Sequence, residues 1–131
     1  MDRLLNSCIR FIFGLRKYDH ISEYRTKLKC LPIRCRRNLR ILCLLFPILN
    51  EPVTPKYLKS KFAYLSSFHD KSLRSSHNSV LYIPSHHTGF MANSFAVVAA
   101  NLWNELPVVI RQASNRKMFK KMVSSYYLNG S

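Results

Sequence analysis

Four cysteines and five histidines are the residues of this chain best equipped for chemistry. A structural zinc site needs thiolates and imidazoles in close pairs, typically of the Cys-x2-Cys kind. Cys8, Cys30, Cys35 and Cys43 contain no such pair, and four residues separate Cys30 from Cys35. A mixed site with His86 and His87 can be drawn, but buried or idle thiols are the expected state and no metal is expected. A thiol–imidazole couple from Cys30 or Cys35 with His20 or His86 lacks the flanking residues of a nucleophile elbow or an oxyanion hole. The six acidic residues are too scattered for the paired carboxylates of metal-dependent phosphoryl transfer. Asp19 and Glu23 are the one acidic pair within a helical turn, and helix capping accounts for them. With only Gly14, Gly89 and Gly130 present, a glycine-rich phosphate loop is excluded. The chain is therefore expected to be no enzyme, with no catalytic residue, no cofactor and no small-molecule substrate.

The chemistry that remains is charge. Twenty-one Lys and Arg against six Asp and Glu leave a net +15 on 131 residues. Fourteen of the cations fall between Arg3 and Lys61, five between Arg111 and Lys121, and none between Ser75 and Ile110. Such a field attracts phosphate. The strongest candidates are Arg34, Arg36, Arg37 and Arg40, whose guanidinium forks grip phosphate oxygens bidentately and whose spacing lets them follow a strand. Lys117, Lys120 and Lys121 come second. The competing reading is that both groups are the solvated sides of amphipathic helices. Tyr24, Tyr57 and Tyr126 are able to stack on bases, although burial in the core is the commoner fate of such residues. Nothing here reads base identity, so binding of RNA or DNA through the phosphate backbone is the expected partnership.

The elements that must carry these residues are mainly helical. Apolar residues form 47% of the chain, including eight Phe and seven Tyr, enough to build a modest core rather than a disordered tail. Leu4, Leu5, Cys8, Ile9, Ile12 and Phe13 recur at helical spacing, with Gly14 as a stop. Asp19 or Ser22 is placed to cap a second helix bearing Ile21, Tyr24 and Leu28. Pro32 opens a third, in which Cys35, Leu39, Leu42 and Phe46 share a face opposite the arginines. Its second half, residues 41–46, is apolar all round and expected to be buried, and Pro47 is expected to end it. Residues 51–79, with Pro52, Pro55 and a serine-rich stretch, read as a linker with a short helical piece at 57–62. Its lysines and Arg74 are expected in a solvated loop. Residues 80–83 and 90–98 read as the two strands of a small β-hairpin. Ser114 is expected to cap a last helix whose stripe is Met118, Phe119, Met122, Val123 and Tyr126, and Trp103 to anchor the core. The expected architecture is thus mainly α (α+β): a basic bundle of about three helices over 1–50, a linker over 51–79, and a hairpin plus C-terminal helix over 80–131.

Two blocks go beyond patterning. The first runs from Cys8-Ile9-Arg10-Phe11-Ile12-Phe13-Gly14 through Asp19-His20-Ile21-Ser22-Glu23-Tyr24-Arg25 to Leu31-Pro32-Ile33 and Arg36-Arg37-Asn38-Leu39. The second holds Ser94-Phe95, Leu102-Trp103-Asn104-Glu105-Leu106-Pro107, Ile110-Arg111, Ser114 and Phe119-Lys120. In order and spacing they resemble the region that follows the reverse-transcriptase domain in jockey-like non-LTR retrotransposons, over residues 4–128. The resemblance implies a thumb-like helical segment that packs beside an RNA-directed DNA polymerase and helps hold template and primer. The Tyr-x-Asp-Asp-like turn of the catalytic palm has no counterpart here, and neither has an endonuclease module. The resemblance therefore implies a non-catalytic fragment of a transposable element, an open reading frame beginning at an internal Met1.

Two alternatives stand beside nucleic-acid binding: an interaction module that docks on a reverse-transcriptase domain, and a translated relic with no activity. The longest apolar run, residues 41–49, is too short for a membrane span, which takes about 20 residues. No signal peptide is expected, and an intracellular location, nuclear or cytoplasmic, follows from that expectation.

Overall fold

The computed structural model describes residues 2–67 and 79–130. Eight helices succeed one another among them: α1 (Asp2–Phe13), α2 (Ser22–Lys27), α3 (Ile33–Asn50), α4 (Lys56–Lys59), α5 (Gly89–Ala92), α6 (Phe95–Glu105), α7 (Val108–Arg111) and α8 (Arg116–Gly130). The serine-rich expectation around Arg74 lies outside the described residues.

The core forms where α3 meets α6 and α8. Leu39, Leu42, Leu45 and Phe46 of α3 pack with Ala99, Ala100 and Trp103 of α6 and with Phe119 and Val123 of α8. Phe119 stacks on Phe46 with ring centroids 4.5 Å apart and lies 5.8 Å from the Trp103 ring. Offset ring pairs of this kind hold a fixed approach as well as burying area. Leu58 and Phe62, from the expected linker, also reach this core.

α1 ends where expected, with Gly14 at φ +61°, a left-handed turn that costs glycine little. Asp19 does not cap α2. Its carboxylate accepts from the Arg16 amide at 2.8 Å, closing the preceding turn, and α2 has no side-chain cap. α1 and α2 join through Phe13 against Tyr24, at 4.7 Å, and through a hydrogen bond from the Arg25 guanidinium to the Asn6 side chain.

The β-hairpin is not formed. Among the described residues there is no strand, only an isolated antiparallel bridge between Tyr64 and Leu81. Residues 90–98 are helical instead, split between α5 and α6. The alanines at 96, 99 and 100 favour helix strongly, and Val97, Ala100 and Trp103 share one helical side, which outweighs the β preference of two valines. Thr88 caps α5, its hydroxyl accepting from the Met91 amide at 3.2 Å. Residues 80–82 bond residues 63–65 on one side, through Leu65 N to Val80 O and Tyr82 N to Ala63 O, and a side chain takes the other edge of Leu81. The Asn104 amide accepts from Leu81 N–H at 2.9 Å and donates to Leu81 C=O at 3.0 Å. Trp103 Nε1 adds a bond to the Ser79 carbonyl at 2.9 Å.

Two boundaries and one burial expectation also change. Pro47 lies inside α3 rather than ending it, because its missing N–H removes one bond while its carbonyl still accepts from Glu51 N and from the Thr54 hydroxyl. Leu44 is exposed, so residues 41–46 are not buried all round. The cap of α8 is Asn115, whose side chain accepts from Met118 N at 2.8 Å. The Ser114 hydroxyl instead contacts Met118 Sδ.

Candidate nucleic-acid interface

α3 and α8 run antiparallel. Glu51 at the end of α3 pairs with Arg116 at the start of α8, Phe46 meets Phe119, and the Asn38 side chain bonds Tyr127 near the other end. This pairing decides which cations become neighbours.

All seven candidate cations are exposed. Successive residues of a helix turn by about 100°. On α3 this sets Arg36, Arg40 and Arg37 within about 100° of one another, with Leu44 between the last two. Arg34 lies about 160° from Arg36 but about 60° from Arg37. The four arginines therefore spread over about 160°: Arg36, Arg40 and Arg37 form a tighter strip, and Arg34 lies beyond its Arg37 edge. On α8, Lys117, Lys120 and Lys121 span about 100° and form one patch.

Cys43 records the meeting of the two groups. Burial pushes its thiol pKa up, and Lys120 and Arg40 both pull it down, so the half-buried sulfur lies within electrostatic reach of a cation from each helix. Arg36, one turn before Arg40, donates to Cys30 Sγ at 3.6 Å, which ties the strip to the turn after α2. Arg36 to Cys43 spans about 10 Å along α3, and Lys120 of α8 acts electrostatically on its far end. Arg40, Lys117, Lys120 and Lys121 make no ion pair among the described residues. Arg116, by contrast, is spent on Glu51.

Helix electrostatics make this placement costly. Neither α3 nor α8 has an acidic residue in its first turn, where the helix dipole favours negative charge. Arg34 and Arg36 occupy that turn in α3, and Arg116 and Lys117 occupy it in α8. Each cation there opposes the dipole by roughly 0.3–1 kcal/mol. Glu51 offsets that cost for Arg116, whereas Lys117 has no ion-pair partner among the described residues, and an uncompensated breach of a local stability rule is where function is expected.

The tyrosines separate. Tyr24 is half-buried between Phe13 and the Lys27 ammonium, which lies 5.0 Å from its ring centroid. Tyr57 is exposed on α4. Tyr126 lines a groove between α7 and α8 with Ile110, Met118, Met122, Ser125 and Lys121. Sequence reasoning had no signal for that groove, because α7 is a single turn and its placement depends on the tertiary packing of Ile110.

The cysteines are all free thiols, and among the described residues no cluster of His, Cys, Asp or Glu is arranged to hold a metal. No described helix is long and apolar enough to cross a membrane. Compared with family models, curated proteins and solved structures, the chain matches none.

Proposed function

We propose that this chain is a non-catalytic nucleic-acid-binding module that holds RNA or DNA by its phosphate backbone. Arg36, Arg37 and Arg40 of α3 with Lys117, Lys120 and Lys121 of α8 supply the contacts, and Arg34 is peripheral. The observation that carries this reading is the set of exposed cations on the packed pair α3 and α8, of which Arg36 and Lys117 stand in first turns where the helix dipole disfavours them. The net charge of +15 supplies the long-range attraction. The sequence blocks support an origin as the post-polymerase region of a jockey-like element, in which this surface lies beside template and primer.

A second reading, docking on a polymerase domain, has its own support. The apolar stripe of α1 is largely uncovered: Leu4 is 71% exposed, Phe11 89% and Ile12 61%, with Ile9 alone buried. The two readings are compatible, since α1 and the strip use different residues.

Fluorescence anisotropy of a labelled RNA or DNA oligonucleotide, at about 50 and 200 mM salt, tests the binding. Each phosphate neutralised releases counterions, so affinity should fall steeply between the two conditions. Absence of binding at the lower salt would overturn the proposal.

A further inference from the structure

The groove between α7 and α8 adjoins the cationic patch through one residue. Lys121 lies on the patch with Lys117 and Lys120, and it also forms the groove's edge. The rest of the groove is Ile110, Met118, Met122, Ser125 and Tyr126, a nearly wholly apolar recess of about 540 Å³. Tyr126 is 39% exposed and Met118 49%, large apolar groups left open to water beside free ammonium groups. The Tyr126 ring is braced at 5.5 Å by the ring of Tyr127, which Asn38 of α3 holds in turn.

Charge at the rim and a braced aromatic inside are the two requirements of a nucleotide subsite: one cation for the phosphate and one apolar face for the base. Lys121 and Tyr126, five residues apart on α8, line the same groove, the ammonium at its rim and the ring on its wall. Resting on the proposed phosphate-binding function, we infer that the ligand is single-stranded and that one unpaired base enters this groove against Tyr126. A duplex offers the same phosphates to Lys117, Lys120 and Lys121, but its bases are paired and stacked, and pulling one out is unfavourable. The thioethers of Met118 and Met122 complete a soft, polarisable floor that takes any base, so the site distinguishes strandedness and not sequence.

The test uses the full chain with a 12-nucleotide single strand carrying 2-aminopurine and with the matching duplex. The single strand should bind more tightly, and the 2-aminopurine fluorescence should change on binding as the base stacks on Tyr126. Tyr126→Ala should weaken single-strand binding roughly 5- to 100-fold. It should abolish the fluorescence change and leave duplex binding and its salt dependence intact. Met118→Gln, an uncharged change at an exposed position, should act in the same direction without disturbing the core or the local charge. Equal binding of strand and duplex, unaffected by either substitution, overturns this inference and leaves backbone binding standing. Binding of neither ligand overturns both. Sedimentation showing a dimer that dissociates on Tyr126→Ala also overturns it, assigning the groove to a second copy of the chain.

Discussion

Replacing Phe119 probes the pairing on which the cationic strip depends. The ring is 1% exposed, stacked on Phe46 at 4.5 Å and set against Trp103 at 5.8 Å. Truncating a fully buried phenylalanine costs roughly 3–5 kcal/mol in lost transfer energy and residual cavity. Its contacts with two other aromatic rings put Phe119→Ala at the upper part of that range, about 4–5 kcal/mol. Phe119→Leu keeps most of the volume and forfeits chiefly the ring geometry, so it should cost less, on the order of 1–2 kcal/mol. A domain of this size has about 5–15 kcal/mol in total, so the alanine variant should be partly unfolded under mild conditions while the leucine variant stays folded. Urea unfolding followed by far-UV circular dichroism measures both, with an unchanged slope as the check that only stability moved. A cooperative transition in the unsubstituted chain would also count against a relic without a stable fold. A loss below about 1 kcal/mol for Phe119→Ala, or an equal loss for the exposed Met118→Ala, would mean that α8 does not seat on α3 through this ring.

Four further outcomes follow from the same geometry. Lys117→Glu puts an acid where the α8 dipole favours one, so it should raise stability by roughly 0.3–1 kcal/mol while weakening oligonucleotide binding; a thermal melt and an anisotropy titration give the two readings. Arg111 is 9% exposed, its Nε and Nη1 have no hydrogen-bond partner, and burial pushes its pKa down, so Arg111→Met should be neutral or stabilising by about 1 kcal/mol in urea unfolding. The phenol of Tyr127 is pushed up to about 12, first by burial and then by Cys35 and Glu105, with the Asn38 hydrogen bond opposing. The unfolded chain therefore ionises first as pH rises through about 10, and stability should fall between pH 10 and 12 by on the order of 1 kcal/mol, since the ring is only part-buried; Tyr127→Phe should remove that component. Glu51→Gln should cost less than about 1 kcal/mol, because its bond to Arg116 is exposed, and the loss should shrink further in high salt.

The long helices were legible in the sequence because their periodicity is local. Gly14 marked the end of α1, and the faces of α3 and α8 emerged from residues three and four apart. The hairpin fails for an equally local reason: Leu81 bridges Tyr64 on one side and is held by the Asn104 side chain, 23 positions away, on the other, and no strand pattern announces either partner. Alanines 99 and 100 held the contrary signal, small residues at helical spacing from Trp103. Pro47 stays inside α3 because its carbonyl still accepts from Glu51 N and the Thr54 hydroxyl, partners that lie beyond the helical pattern.

The candidate site divides in the same way. That Arg34, Arg36, Arg37 and Arg40 lie away from the apolar stripe was legible, yet the departure of Arg34 from their strip needs the helical turn angle and the observed core direction together. That Lys120 and Arg40 act on the same thiol was not legible at all, since it depends on Phe46 finding Phe119, 73 residues further along the chain. The fate of Arg116 was hidden for the same reason, because its partner Glu51 is 65 residues away.

The dependence of binding on salt tests the strip most directly. For single strands the slope of log affinity against log salt changes by about 0.7 for each phosphate contact. Replacing Arg36, Arg40 and Lys120 together with Gln should flatten that slope by about 2 and weaken binding at low salt. Replacing Arg3, Arg16 and Lys17, an equal loss of charge on exposed positions in and after α1, should leave the slope nearly as it was. If the two triple variants change the slope alike, the net charge of the chain governs binding and the α3–α8 strip is no interface.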